Sequence, residues 1–505
     1  MPIKNKTISF IRTKPFFWIL VPIFFLIKNA NIYYTVIPIH QLAELLVKYL
    51  IGSFITYLLI GKLAKQPNYK AALYSFIALS IFFFFFSFDQ YVQSQKWMRP
   101  LNQYRYILPF LAITVIFISR KIHTQTTPPN KFILFLNLLL TLFCLQQSVT
   151  LIYKVFKKAK HTIQIADATP RFSHAHHPNA PNIYFLILDE YQGNKGLEIV
   201  YNYNNTNLKT FLSGKGFYTP KISRSNYNYT FFSMPSILNM RYLKGVLSKN
   251  DPAWNLIQFG SGYKLMENTS TIDFFKKENY QIINLSPFRL ENSGERVFIY
   301  KPLLVEKDLI DYQTFFKVLI RKFAWEINNK SWLHLTNCRG YNYQYYNSFI
   351  KENIIKTAKS TQTSPSPKFI YGHFFIPHGP YLKDAGGKEV NFKHLMHLSN
   401  KDSLKYRYLD YIKYTNFFLT DMVEHVIQKD PRSVIIIMSD HGSRLFEDSL
   451  QYNNQFYIRI PGSSDKKYPD TIDAVNVFRL LLNEQFKQKL DYLPYQATPF
   501  NALHP

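Results

Sequence analysis

Ser433-Val434-Ile435-Ile436-Ile437-Met438-Ser439-Asp440-His441-Gly442 holds five apolar residues in a row and then a carboxylate and an imidazole. An uninterrupted apolar run of this length, rich in β-branched residues, predicts a strand covered on both faces, as in a parallel sheet. Open α/β sheets place their ligand sites at the carboxyl ends of such strands. An Asp-His-Gly turn alone says little, because Asp and Gly are ordinary turn formers. The pattern recurs upstream, however. Pro181-Asn182 leads into Ile183-Tyr184-Phe185-Leu186-Ile187-Leu188, which closes on Asp189-Glu190. Acids at the ends of two buried strands, with a histidine beside one of them, suit a divalent metal such as zinc, which accepts oxygen and nitrogen ligands.

Two further segments lie between these strands. Ser225 to Met240 contains Thr230-Phe231-Phe232-Ser233-Met234-Pro235-Ser236 and reads as a polar loop running into a helix, with Pro235 suited to the first turn. A hydroxyl there would sit in the positive field of the helix N-terminus, where an anionic ester is also held. Thr230 or Ser233 serving simply as an N-cap is the plainer reading of the spacing. His373-Phe374-Phe375-Ile376-Pro377-His378-Gly379-Pro380 offers two imidazoles beside a Pro-Gly-Pro turn. They are either loop residues or groups that face a phosphate or a leaving group.

The first third of the chain has a different character. Apolar stretches at roughly 15–27, 41–61, 71–88, 106–119 and 132–153 approach the about 20 residues needed to cross a bilayer. The second carries Glu44 and Lys48 one turn apart, acid first, an order that favours mutual neutralisation. The first has the basic start of a signal peptide but no small-residue cleavage site, so it is expected to remain as an anchor. Residues 1–155 are therefore expected to form about five membrane helices, 156–180 a linker, and 181–505 an external domain. Lys4, Lys6, Arg12, Lys14, then Lys62, Lys65, Lys70, then Arg120, Lys121 and Lys131 place the N-terminus in the cytoplasm. An odd number of spans then carries the domain outside. Lys154, Lys157, Lys158 and Lys160 run against this pattern.

The 505 residues call for more than one domain. A mean hydropathy of −0.14 averages the lipid-like part with a polar part rich in Tyr, Asn and Lys. The formal charge of +28 is spread along the chain without a basic arm or a zinc finger, so a nucleic-acid partner is not expected. A basic protein at an anionic membrane surface accounts for it better. Only two cysteines, Cys144 and Cys338, exclude a disulfide framework and a Cys-rich metal site. His174, His176 and His177 read as part of a solvated linker rather than a metal site. Asn476 and Arg479 read as structural, and Tyr341 to Tyr346 as either packing or the lining of an acceptor groove.

In order, the strand ending at Asp189, the Thr230 segment, the His-Gly-Pro segment and Ser439-Asp440-His441-Gly442 resemble the alkaline phosphatase and sulfatase superfamily across most of residues 180–480. The T-x-x-S-x-P-S pattern of Thr230, Ser233, Pro235 and Ser236 looks most like membrane-bound phosphoethanolamine transferases. Lipoteichoic acid synthases are similar in overall plan. The resemblance implies a transmembrane helical region followed by an α/β domain with a mostly parallel central sheet flanked by helices. It also implies a location in a bacterial inner membrane, with the catalytic domain on the periplasmic or extracellular side. By resemblance Thr230 is the nucleophile and would complete the metal shell, Asp440 and His441 are metal ligands, His378 contacts the substrate, and His373 matches another histidine nearby. The strand-end ligand is commonly Glu in the transferases. Here Asp189 or Glu190 would fill that place, Asp189 following the strand directly. Zinc is the expected ion, with manganese or calcium as alternatives.

Two departures stand out. The disulfides frequent in those transferases are impossible here, and Ile237 replaces the arginine of the sulfatase C/S-x-P-x-R pattern. The expected activity is transfer of a phosphoryl-linked head group from a membrane phospholipid to a cell-envelope lipid or glycan. The alternatives are hydrolysis of phosphate or sulfate esters, and ligand binding without catalysis.

Overall fold

The computed structural model describes residues 10–34, 37–65, 67–95, 104–156, 163–166, 169–174, 180–249, 252–290, 307–320, 343–360, 366–390, 401–446, 448–462 and 468–501. The chain divides into two compact units. One comprises residues 1–160 with 304–338, the other 161–303 with 339–505.

The first unit contains α1 (Phe17–Tyr33), α2 (Ile39–Ala64), α3 (Asn68–Ser94), α4 (Tyr104–Thr124) and α5 (Asn130–Phe156). These helices fall on the five apolar stretches of the sequence. Four of them, α2 to α5, are long and apolar enough to cross a membrane, while α1 is apolar but only 17 residues long. α1 packs against α2, α3 and α5. It buries Phe17, Trp18, Val21 and Phe25, whereas α4 and α5 leave Ile113, Phe117, Leu142 and Val149 exposed. Apolar side chains facing outward are the pattern of helices solvated by hydrocarbon. Polar side chains inside the bundle reach across helices. Asn31 Nδ2 donates to the Gln147 carbonyl at 2.7 Å, and Asn137 Nδ2 to the carbonyls of Ile11 and Lys14 at 2.8 and 2.9 Å.

The segment 307–320 belongs to this helical unit. It changes the expected Glu44–Lys48 pairing. Glu44 accepts from Lys307 Nζ at 2.5 Å, and Lys48 Nζ donates to Asp311 at 2.7 Å. Lys307 and Asp311 are themselves four residues apart, so two one-turn spacings of opposite order interlock.

The second unit is built on a five-stranded sheet of β1 (Ile183–Leu188), β2 (Gln281–Leu285), β3 (Lys368–Phe374), β4 (Val434–Met438) and β5 (Phe456–Arg459). Its order is β2-β3-β1-β4-β5, parallel except for the antiparallel edge strand β5. β1 and β4 lie inside the sheet with every residue buried, as their apolar runs predict. Alternate residues serve two cores. Ile183, Phe185, Ile187, Val434, Ile436 and Met438 enter one, while Tyr184, Leu186, Leu188, Ile435 and Ile437 enter the other. The first core is covered by α6 (Thr230–Asn239) and, past α7 (Tyr343–Ser360) and α8 (Lys401–Lys429), by α9 (Val477–Phe486); α7 and α8 cover the second. α7 approaches β3 closely at Gly372, where a Cβ would lie 2.9 Å from Ile354 Cδ1.

Helix α6 begins earlier than Pro235 suggests. Thr230 is its first residue, so Pro235 sits in the second turn rather than the first. Proline has no N–H to offer the carbonyl four residues back, which is that of Phe231. Gly262 accommodates that carbonyl, since a Cβ there would lie 2.1 Å from the Phe231 oxygen. Arg479 closes the other end of α6, donating through Nη2 to the Met240 carbonyl at 2.8 Å and through Nη1 to that of Asp491 at 2.6 Å. Asn476 exchanges two 2.9 Å hydrogen bonds with the Leu493 backbone. Both residues are structural.

Candidate active site

Strand register brings the site together. Ile187 lies opposite His373 on β3 and opposite Met438 on β4. Asp189 and Asp440, each two residues further on, therefore emerge level at the carboxyl edge of the sheet. The Asp189 N–H donates to the Phe374 carbonyl at 2.9 Å, which continues the β1–β3 ladder to the site. Tyr408 on α8 pins the turn that follows β1: its hydroxyl donates to the Glu190 carbonyl and accepts from the Gln192 N–H, both at 2.8 Å.

Asp189, Asp440 and His441 are buried, and one ligand atom of each lies within 4.8 Å of the others. Asp440 Oδ1 accepts the N–H groups of Glu190 and His441 at 3.1 and 3.0 Å. Asp189 Oδ1 and Asp440 Oδ2 are buried without a hydrogen-bond partner. Buried orphan oxygens are costly. Burial, then Asp440 and Glu190, push the Asp189 carboxyl well above the usual carboxylate range. Burial acts the same way on Asp440, but His441 and His373 nearby outweigh it and hold that carboxyl low. Two carboxylates forced apart in this way are relieved by a cation between them. His441 Nδ1 lies 2.7 Å from the Gly442 carbonyl, to which it donates, leaving the Nε2 lone pair toward the carboxylates, 3.3 Å from Asp440 Oδ2. Two acids and an imidazole presented this way fit a divalent cation.

The Thr230 hydroxyl completes the group. It lies 3.4 Å from His441 Nε2 and close enough to Asp189 and Asp440 to favour their ionised forms. The residue ahead of α6 is Tyr229, whose side chain makes no cap, so Thr230 is not spent as an N-cap. Ser233 is engaged elsewhere, donating to the Tyr227 carbonyl at 3.0 Å.

Glu190 turns away from the trio. It adopts a left-handed backbone (φ 64°), and its Oε1 accepts the Arg444 N–H at 2.8 Å. Burial would raise its pKa, but Arg444, His378 and His441 hold it below the usual range. His373 is buried with Nδ1 3.0 Å from the Tyr371 hydroxyl and Nε2 without a partner. Burial drives its pKa down to about 4, so it is neutral at neutral pH. His378 Nε2 lies 3.7 Å from Glu190 Oε2.

Arg444 escaped the sequence reading. Its Nη1 reaches His441 Nε2 at 3.3 Å, its Nη2 reaches His378 Nε2 at 3.4 Å, and the guanidinium stacks 4.6 Å from the Tyr229 ring centre. The available signal was its place three residues after His441, on the same strand-end loop. Of the remaining sequence candidates, His174 is paired with Glu278 at 2.8 Å, and Tyr346 is buried against Phe375. His176, His177, Cys338, Tyr341 and Asn342 lie outside the described residues.

The class defined here is an α/β protein with a candidate divalent-metal centre at the carboxyl ends of parallel strands. Residues 182–474 match the sulfatase family, and the chain belongs to that family, within the alkaline phosphatase and sulfatase superfamily. The family fold indicates an enzyme, either a transferase or a hydrolase. Similar solved structures include the zinc complex of the C-terminal periplasmic domain of EptC from Escherichia coli, at 12% identity over 60% of this chain and 82% of that one, TM-score 0.36. The soluble domain of lipooligosaccharide phosphoethanolamine transferase A from Neisseria meningitidis is similar at 13% identity over 64% and 91%, TM-score 0.35. A Bacteroides thetaiotaomicron protein of glycosaminoglycan metabolism is similar at 14% over 61% and 73%, TM-score 0.38. No curated protein sequence matches the chain.

Proposed function

We propose that this protein is a membrane-anchored transferase that moves a phosphoryl-linked head group from a phospholipid to a cell-envelope lipid or glycan through Thr230. The observation that carries the reading is the position of the Thr230 hydroxyl, at the start of α6 and beside Asp189, Asp440 and His441. A threonine hydroxyl is a weak nucleophile unless a neighbour favours its alkoxide. Zinc held by Asp189, Asp440 and His441 would supply that activation and would stabilise charge on phosphoryl oxygens.

In the first step Thr230 Oγ1, as the alkoxide left after its proton passes to water, bonds to the phosphorus of the phosphodiester as the bond to the diacylglycerol oxygen breaks, and the second step returns it as the alkoxide. The leaving alkoxide takes a proton from His378, the imidazole that is half-exposed beside Glu190. In the second step an acceptor hydroxyl attacks the phosphothreonine, the bond from phosphorus to Thr230 breaks, and His378 recovers its proton from the acceptor. Arg444, which reaches both histidines, is suited to hold the non-bridging oxygens. The proposed setting is a bacterial inner membrane, with the α/β unit on the periplasmic or extracellular side. The isoleucine at 237, where sulfatases carry arginine, favours a phosphate over a sulfate ester.

Peptide mass spectrometry on protein purified from its native membrane tests this. A mass increase on Thr230 that is absent from Thr230→Ala is expected, and its size identifies the transferred group. An unmodified Thr230 after incubation with zinc and phosphatidylethanolamine, together with release of product to water alone, would establish the hydrolase instead.

A further inference from the structure

We infer that the helical unit holds the acyl chain of a glycerophospholipid in a cavity of about 670 Å³ between α2, α3 and the 307–320 segment. The size is that of a small-molecule site, which runs from about 300 to 1,000 Å³. Its lining is mostly apolar, with Leu79, Phe82, Phe83, Phe315, Phe316 and Ile320, and includes the polar group of Lys48, Tyr49, Asp311 and Thr314. The walls are held apart by built contacts. The Phe82 and Phe316 rings meet at 5.9 Å, the Phe85 and Phe315 rings at 4.9 Å, and Asp311 accepts from Lys48 and Tyr49 at 2.7 and 3.0 Å.

One observation points to a ligand: Ser53 lines the cavity, is 1% exposed, and its hydroxyl has no hydrogen-bond partner. Gly52, which also lines it, is exposed and leaves room for a larger side chain. The occupant follows from the surroundings. The neighbouring face of α2 exposes Ile51, Phe54, Ile55 and Leu58, so among membrane-crossing helices the medium at the cavity is lipid. The Lys48 side chain remains 57% exposed while bonded to Asp311, and an ammonium has further protons for an anionic phosphate. Ser53 lies about 7.5 Å further along the helix axis, where its hydroxyl can donate to an ester carbonyl below that phosphate. This site concerns binding only, and its failure leaves the Thr230 reading untouched.

The test uses the full-length protein in phosphatidylethanolamine–phosphatidylglycerol vesicles. They are doped with a phosphatidylethanolamine that carries a photoactivatable diazirine in its acyl chain. After illumination, adducts mapped by peptide mass spectrometry are expected to concentrate in residues 48–56, 78–83 and 311–320 over the exposed face of α4. Gly52→Phe, which fills open space, should lower that labelling several-fold, and Ser53→Ala should lower it less. Leu142→Phe, a bulky change on an exposed face of α5, should leave it unchanged. Excess unlabelled phosphatidylethanolamine should compete. Labelling spread evenly over the lipid-facing helices, or unmoved by Gly52→Phe and Ser53→Ala alike, overturns the site.

Discussion

The two units differ in what they turn outward. The helical unit turns Ile113 and Leu142 outward and keeps Asn29, Asn31, Asp89 and Asn137 inside; the α/β unit hides Phe185 and Ile436 at 0% exposure. In hydrocarbon a polar group must find its partner within the protein, and the amide nitrogens of Asn31 and Asn137 do so on neighbouring backbone carbonyls, while their side-chain oxygens stay buried without one. In the α/β unit Asp189 and Asp440 each keep one buried oxygen without a partner, and two carboxylates cannot satisfy each other. In the first unit the buried amide donors tie helices together. In the second, buried polarity is a cost borne at one edge of the sheet, which is where a functional site is expected.

The largest effect that would sharpen this contrast is on metal affinity. Asp440→Asn should weaken affinity for the divalent ion, measured with zinc by chelator competition on the purified protein, by more than the about 10–100-fold that loss of an outer-shell partner costs. Turnover should fall with it. Asn137→Ala in the helical unit should leave zinc affinity unchanged, and equal affinity in both variants would break the distinction.

Arg444→Ala comes next. Loss of one charged donor at a developing anion lowers kcat/KM by about a hundredfold, while zinc affinity should hold. An unchanged kcat/KM would remove Arg444 from the site.

The last effect falls on stability against pH rather than on the reaction. His373 has a pKa of about 4 in the fold, against 6.5 for the free group. As pH falls through 6.5 the unfolded chain takes up the proton first. Stability is therefore full above that pH and is lost down to about pH 4, by about 3 kcal/mol. Thermal unfolding of the full-length protein across that range should be flatter for His373→Phe. Parallel curves would refute the assignment.

Much of this was legible in one dimension. The runs at 71–88 and 132–153 form helices long and apolar enough to cross a membrane, and β1 and β4 are buried strands because no charged residue interrupts them. Asp189, Asp440 and His441 follow from those strands, since a strand's last residue delivers the next side chains to the sheet edge. Three features were not legible, and tertiary structure decided them. Helix α6 starts at Thr230 because Gly262 makes room for the carbonyl that Pro235 leaves unbonded. Glu190, at a left-handed backbone position, accepts the Arg444 N–H rather than joining Asp189, Asp440 and His441. The 307–320 segment joins the helical unit through charges on α2 some 260 residues earlier in the chain. Periodicity and composition report how much of a residue is covered. They carry no information on which distant group covers it, and Thr230 and His441, 211 residues apart, meet only because strand register and helix packing bring them together.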